Sequence, residues 1–205
     1  MPNTTSFISV HYNKNIATLS LERPQKAQAY NEQMLFSMQA LIQEMTSRVN
    51  VVIVQSLGHR AFCAGADLDE MKKTEALAPL RLLSQSVFSA LANAPFISIA
   101  AVHGPAIAGG CEMALACDFR VIGPDATFSL PETSLGLIPS AGGCNRLPKI
   151  IGTSRAKEMI LCQRVVDSET ALLWGLANKV NQDPRKNAHA WAEEIAQKDP
   201  VALEL

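Results

Sequence analysis

Metal-ligand spacing is missing from this sequence. Its five cysteines, Cys63, Cys111, Cys117, Cys144 and Cys162, form no CxxC pair, and His11, His59, His103 and His189 are scattered. No metal site is expected from such a pattern. The odd cysteine number and the apolar or small neighbours of each thiol point to a reducing compartment with buried thiols. A basic surplus is missing too: the formal net charge is -1, which argues against a nucleic-acid partner. The N-terminus MPNTTSFISV lacks a charged region followed by an apolar run, so no signal peptide is read there. The apolar segment 94–108 is interrupted by Pro95, His103, Gly104 and Pro105, and no run reaches the length of a membrane span. A soluble cytoplasmic protein is the expectation, with no membrane contact. Internal repeats and low-complexity tracts are absent. Neither GxGxxG nor GxxxxGK followed by Ser or Thr occurs, which removes the common phosphate-loop readings.

What the chain does have is apolar bulk. Of its 205 residues 48% are hydrophobic, enough for a sizeable core in one domain. Residues 7–12 and 16–21 are β-rich around the polar turn 13–15, which predicts a hairpin. Over 31–48, Met34, Leu35, Met38, Leu41, Ile42 and Met45 fall at helical offsets. The β-branched run 49–55 is the mark of a strand buried on both faces. A strand, a helix and a buried strand in succession define an α/β protein. Further on, the pattern predicts a helix opening near Asp67, a helix over 79–93, strands over 95–102 and 119–122, and a helix from about Gly109 through Cys117. Residues 131–143 read as a Gly- and Pro-rich loop. Helices follow over 142–151, 154–162, 168–174 and 187–198, with Gly175 as a C-cap. The domain core is drawn as 1–195. Residues 196–205 then read as the start of an incomplete helical segment.

Two small-residue loops each follow a buried strand and lead into a helix: Cys63-Ala64-Gly65-Ala66-Asp67-Leu68 and Ile107-Ala108-Gly109-Gly110-Cys111-Glu112. Small residues let another backbone or a ligand approach closely. Helix N-termini leave N–H groups unpaired, and two of them aimed at one point would form an oxyanion hole. Glycine at such a turn more often serves the turn itself, and the residues alone leave both readings open. Glu112 lies in the first turn of an apolar helix. Glu132 stands between Leu130-Pro131 and Leu135-Gly136-Leu137. Carboxylates in apolar surroundings are costly unless paired or functional. A carboxylate complementing the helix dipole, or a plain turn residue, is the alternative for each.

Three segments decide between these readings by resemblance. AFCAGADLDEM (61–71), IAAVHGPAIAGGCEMALACDFRVI (99–122) and FSLPETSLGLIPSAGGCNRLP (128–148) resemble, in this order and spacing, the catalytic segments of the enoyl-CoA hydratase/isomerase, or crotonase, family. The resemblance runs from about Ser6 to the end. It implies a spiral of ββα units with a helical C-terminal region that ends truncated at Leu205. It implies a homotrimer or a hexamer built as a dimer of trimers. The backbone N–H groups of Ala66 and Gly109 would be the oxyanion donors. Hydratases that this chain resembles use two glutamates, and both match, twenty residues apart. Glu112 would activate water and Glu132 would protonate C2; isomerases of the family commonly lack the first.

The implied acyl-CoA contacts are Lys26, Ala27, Ala29, Ala64, Gly65, Ala66, Asp67, Leu68, Gly109, Gly110, Pro131 and Leu135. Gln28 and Tyr30 replace a more usual Asn and Leu, and Asp69 stands where lysine is frequent; Lys72 and Lys73 are candidates to compensate, but lysines on a helix surface are the favoured reading. Ala108 and Ser140 replace glycines. Leu130 replaces a glutamine, a change expected to dry the pocket and raise the pKa of Glu132. No cofactor beyond the coenzyme A thioester substrate is implied. The expected activity is hydration of a 2-enoyl-CoA. The alternatives are double-bond isomerisation or another acyl-CoA reaction of the family and, from a different class, a non-catalytic CoA-binding scaffold. A scaffold needs no pair of glutamates beside intact donor loops.

Overall fold

The computed structural model describes residues 7–69 and 77–203. The N-terminal hairpin forms as its pattern predicts. β1 (Ile8–Asn13) pairs antiparallel with β2 (Ile16–Leu21), Ile8 opposite Leu21 and Asn13 opposite Ile16. Lys14 and Asn15 make the connection, Lys14 at φ 52° as a tight hairpin turn requires. In α1 (Glu32–Thr46) the side chain of Asn31 accepts from the Met34 N–H at 3.0 Å, a cap worth about 1 kcal/mol. The buried residues of α1 are the six whose spacing predicts it.

The chain continues through β3 (Val51–Ser56), α2 (Leu77–Ala92), β4 (Ile97–Val102), β5 (Ala106–Ile107) and α3 (Gly109–Leu115). Next come β6 (Phe119–Ile122), β7 (Phe128–Ser129), α4 (Gly143–Ile151), α5 (Thr153–Leu161) and α6 (Ser168–Trp174). β8 (Lys179–Val180), α7 (Pro184–Ile195) and α8 (Pro200–Leu203) complete it. The main sheet runs β1-β2-β3-β4-β6-β8, parallel beyond the hairpin. A second layer is built of fragments: Tyr30 bridges Ala66, Cys63 bridges Ala106, β5 runs parallel to β7, and Phe128 bridges Val166. Successive turns thus add a strand to the main sheet, a fragment to the second layer, and a helix. This is the spiral of ββα units that the resemblance implies.

Side chains alternate across the main sheet, and both faces are covered. Leu19, Val52, Val54, Ala100 and Ile122 join the core shared with α1, α2 and α3. Ile16, Val51, Ile53, Ile99 and Val121 meet Ala188 and Ala192 of α7, where the rings of Phe119 and Trp191 lie 4.5 Å apart. Double coverage is why β3 reads as a continuous apolar run. Gly175 closes α6 at φ 77°, the left-handed cap expected.

Some expectations need correction. Cys63, Cys111 and Cys117 are buried and free, but Cys144, in the first turn of α4, and Cys162, capping α5, are exposed. Residues 131–143 are not all loop, since Glu132–Leu135 form a 3₁₀ turn closed by Gly136 at φ 68°. α7 begins at Pro184, three residues before the expected start, because Asp183 caps it through the Lys186 N–H. The helix opening near Asp67 shows as Leu68 and Asp69; Lys72 and Lys73 lie outside the described residues. No helix among the described residues is long and apolar enough to cross a membrane.

Candidate active site

The two small-residue loops meet. A Cβ added to Gly65 would stand 3.0 Å from the Ile107 carbonyl oxygen and 3.3 Å from the Gly109 nitrogen. Tyr30 braces both loops. Its N–H donates to Gly65 O at 2.8 Å and its carbonyl accepts from Asp67 N at 2.9 Å, which holds Ala66 between them. Its side chain lies over Gly109, where a Cβ would be 2.0 Å from the Tyr30 hydroxyl oxygen. Gly110 is held as closely, 2.1 Å separating its would-be Cβ from the Cys63 carbonyl oxygen. What demands glycine at 109 and 110 is therefore the protein's own packing. Neither Ala66 nor Gly109 donates its N–H to any acceptor among the described residues. Gly109 opens α3, where backbone N–H groups lack intrahelical partners.

Both N–H groups belong to residues lining a cavity of about 210 Å³. Its polar lining is Tyr30, Arg81, Ser84, Glu112, Glu132 and Ser140; Leu68, Ile107, Leu135, Leu137 and Ile138 supply most of the apolar wall. Glu112 is 3% exposed. Its Oε1 accepts from the Gly143 N–H at 2.9 Å, and a Cβ on Gly143 would press on that same oxygen at 3.1 Å. Burial raises the Glu112 pKa, opposed by the Gly143 hydrogen bond. Glu132 stands on the 3₁₀ turn, and its buried Oε2 has no hydrogen-bond partner among the described residues. Burial is the main cause that lifts Glu132 to about 7, with the charge of Glu112 adding to the rise. The direction is the one expected from the sequence. Leu130 is fully buried and not part of the cavity wall, so its replacement of glutamine does not line the pocket as expected.

The cavity brings together Ala64, Ala66, Leu68, Gly109, Glu112, Pro131, Glu132 and Leu135 of the residues singled out in the sequence. Lys26, Ala27, Ala29, Gly65, Asp67 and Gly110 do not line it. Asp67 forms a buried ion pair with Arg23 at 2.7 Å. Lys26 pairs with Asp69 at the surface. Ala27 stands at φ 49° with its carbonyl accepting from Ala64 N at 3.1 Å, and the Ala29 carbonyl accepts from Arg23 Nη1 at 3.0 Å. Sequence reading missed Tyr30 as a brace, and Arg81, Ser84, Ile138 and Ser140 as cavity wall. The one signal available was Arg81, a single charge in the sixteen-residue stretch LAPLRLLSQSVFSALA.

A protein-family model for enoyl-CoA hydratase/isomerase matches residues 11–205. The chain belongs to that family, and its fold is the crotonase fold. Among curated relatives, the short-chain-enoyl-CoA hydratase of Clostridium acetobutylicum is 35% identical over 196 residues, spanning 93% of this chain and 75% of that protein. The mouse mitochondrial methylglutaconyl-CoA hydratase is 36% identical over 203 residues, spanning 94% of this chain and 65% of that protein. The crystal structure of an enoyl-CoA hydratase from Bacillus anthracis superposes with a TM-score of 0.94 at 34% identity, covering 97% of this chain and 80% of that one.

Proposed function

We propose that the chain is an enoyl-CoA hydratase, adding water across the 2,3 double bond of a 2-enoyl-CoA thioester to give a 3-hydroxyacyl-CoA. The observation that carries this reading is an unlike pair of carboxylates on one small cavity, with two unspent backbone N–H groups in the same wall. The N–H groups of Ala66 and Gly109 receive the thioester oxygen and stabilise the enolate-like charge that develops there. Glu112, kept as an acceptor by Gly143, takes a proton from the water that attacks C3. Glu132, partly protonated near neutral pH, gives a proton to C2. Two carboxyl groups with environments that differ in this way divide into base and acid. The acyl end of the thioester lies against Ala64, Ala66, Leu68, Pro131 and Leu135, which share the cavity with the two glutamates.

The test is a panel of 2-enoyl-CoA thioesters followed by loss of enoyl absorbance. Hydration of crotonyl-CoA or a longer homologue is expected. A folded protein that shifts double bonds of 3-enoyl-CoA and hydrates none of the panel would overturn the assignment. The same reading takes the chain to a homotrimer or hexamer, supported by Leu161, Val165 and Leu173, which are 64%, 61% and 79% exposed. Light scattering should find multiples of the 22.1 kDa chain mass; a monomer alone at micromolar concentration would contradict this.

A further inference from the structure

Among the described residues, Arg81 is the one basic side chain in the cavity wall. It is partly buried and comes from a helix that otherwise carries no charge. Its partners within the protein are neutral. Nε donates to Ser140 Oγ at 2.9 Å, and Nη2 reaches the Ile138 carbonyl at 3.4 Å. Ser140 stands where the family resemblance leads one to expect glycine, so the anchoring hydroxyl is itself a departure of this chain. No carboxylate among the described residues forms an ion pair with Arg81. Glu112 and Glu132 sense its charge without hydrogen bonding to it. The guanidinium is thus held along its Nε–Nη2 edge. Nη1 has no acceptor among the described residues, leaving the Nη1–Nη2 end for an acceptor that a ligand brings. A planar fork of this kind matches an oxyanion, above all a carboxylate.

We propose that Arg81 recognises the acyl group, and that the preferred substrates are enoyl-CoA thioesters whose acyl chain ends in a second carboxylate. The assignment rests on the hydratase reading. A phosphate of coenzyme A is the other oxyanion in reach of the substrate. The company Arg81 keeps favours the acyl carboxylate: it shares its cavity with both glutamates and both loops bearing free N–H groups, the reacting end. The segment 26–29, which the family resemblance matches in position to the loop that reads the nucleotide, contributes nothing to that wall. With two glutamates in the same cavity, an acidic acyl group would be repelled without a cation to offset them.

Binding separates the sources without turnover. Calorimetry of the full chain with glutaryl-CoA and butyryl-CoA compares two saturated thioesters that carry the same coenzyme. Glutaryl-CoA should bind roughly ten- to a hundredfold more tightly, the range of a charge-assisted hydrogen-bonded pair. Arg81→Met should remove that preference while leaving butyryl-CoA within about threefold, with an unchanged circular dichroism spectrum. Arg81→Lys should keep part of it. Equal affinity in the parent, or an equal loss for both ligands in Arg81→Met, would overturn the proposal, the latter making Arg81 a coenzyme contact. Hydration of glutaconyl-CoA and crotonyl-CoA is measured alongside. Selective glutaryl-CoA binding with neither enoyl thioester hydrated would uphold the carboxylate site and remove the hydratase reading; hydration of both without selectivity would do the reverse.

Discussion

Glu112 and Glu132 share a cavity but are held in opposite ways. Glu112 projects from the first turn of a helix wedged in the core, and a backbone N–H fastens one of its oxygens. Glu132 rides on a 3₁₀ turn, half-buried, with a buried oxygen that nothing among the described residues satisfies. A fastened carboxylate is kept as an acceptor. An unsatisfied one in a dry site favours its proton and rises to about 7. One residue type thus fills two roles because the surroundings differ: the Gly143 N–H holds an oxygen of Glu112, while the Oε2 of Glu132 has no partner among the described residues.

A large way to break this scheme, without touching either glutamate, is to take away the oxyanion donors that both serve. Gly109→Pro deletes an N–H and should lower hydration by about 10²–10³-fold. A ring at 109 also meets the Tyr30 hydroxyl, so Tyr30→Leu with Gly109→Ala is the control, supplying room while keeping the N–H. The double variant should retain far more activity than Gly109→Pro in a Tyr30→Leu background. Equal loss in both would make the effect one of packing.

Next in size is the pH profile, which sharpens the contrast between the carboxylates. The raised pKa of Glu132 means that its proton is present below about 7 and is lost above it. If that proton goes to C2, kcat/KM should fall about tenfold per pH unit on the alkaline side. On the acid side it should fall as Glu112 becomes protonated, at a pH shifted upward from the ordinary glutamate value, because burial raises that group as well. Glu132→Gln should abolish the alkaline limb in whatever activity remains. An alkaline limb that survives Glu132→Gln would assign it to another group.

The smallest effect expected is at Ala108, which precedes α3 at φ 52° and ψ -125°, a conformation that favours glycine. Ala108→Gly should relieve strain of about 1 kcal/mol, seen as a higher denaturant midpoint at unchanged slope. A lower midpoint would mean that no strain is stored there.

The sheet strands and long helices were legible because burial imposes a period on them. Met34, Leu35 and Met38 face one core, and Val51 to Val54 alternate between two covered faces. The fragments β5, β7 and β8 have two residues each, too few to show any period. They are fixed by neighbours far away in sequence. The glutamates stood out as charges in apolar company, whereas the family resemblance supplied their roles. Tyr30 could not be read as a brace, because its importance lies in which glycine its ring covers. Gly143 could not be read as the holder of Glu112, because that contact spans 31 positions of sequence.

The most direct measurement pairs two reactions in two variants. Glu112→Ala should lose hydration of crotonyl-CoA by roughly 10²–10⁴-fold, yet keep slow exchange of the C2 proton of a saturated acyl-CoA in heavy water, since Glu132 and both N–H donors remain. Glu132→Ala should lose both. A Glu112→Ala variant that hydrates enoyl thioesters as fast as the parent would reduce Glu112 to a helix-end carboxylate and contradict the division of labour.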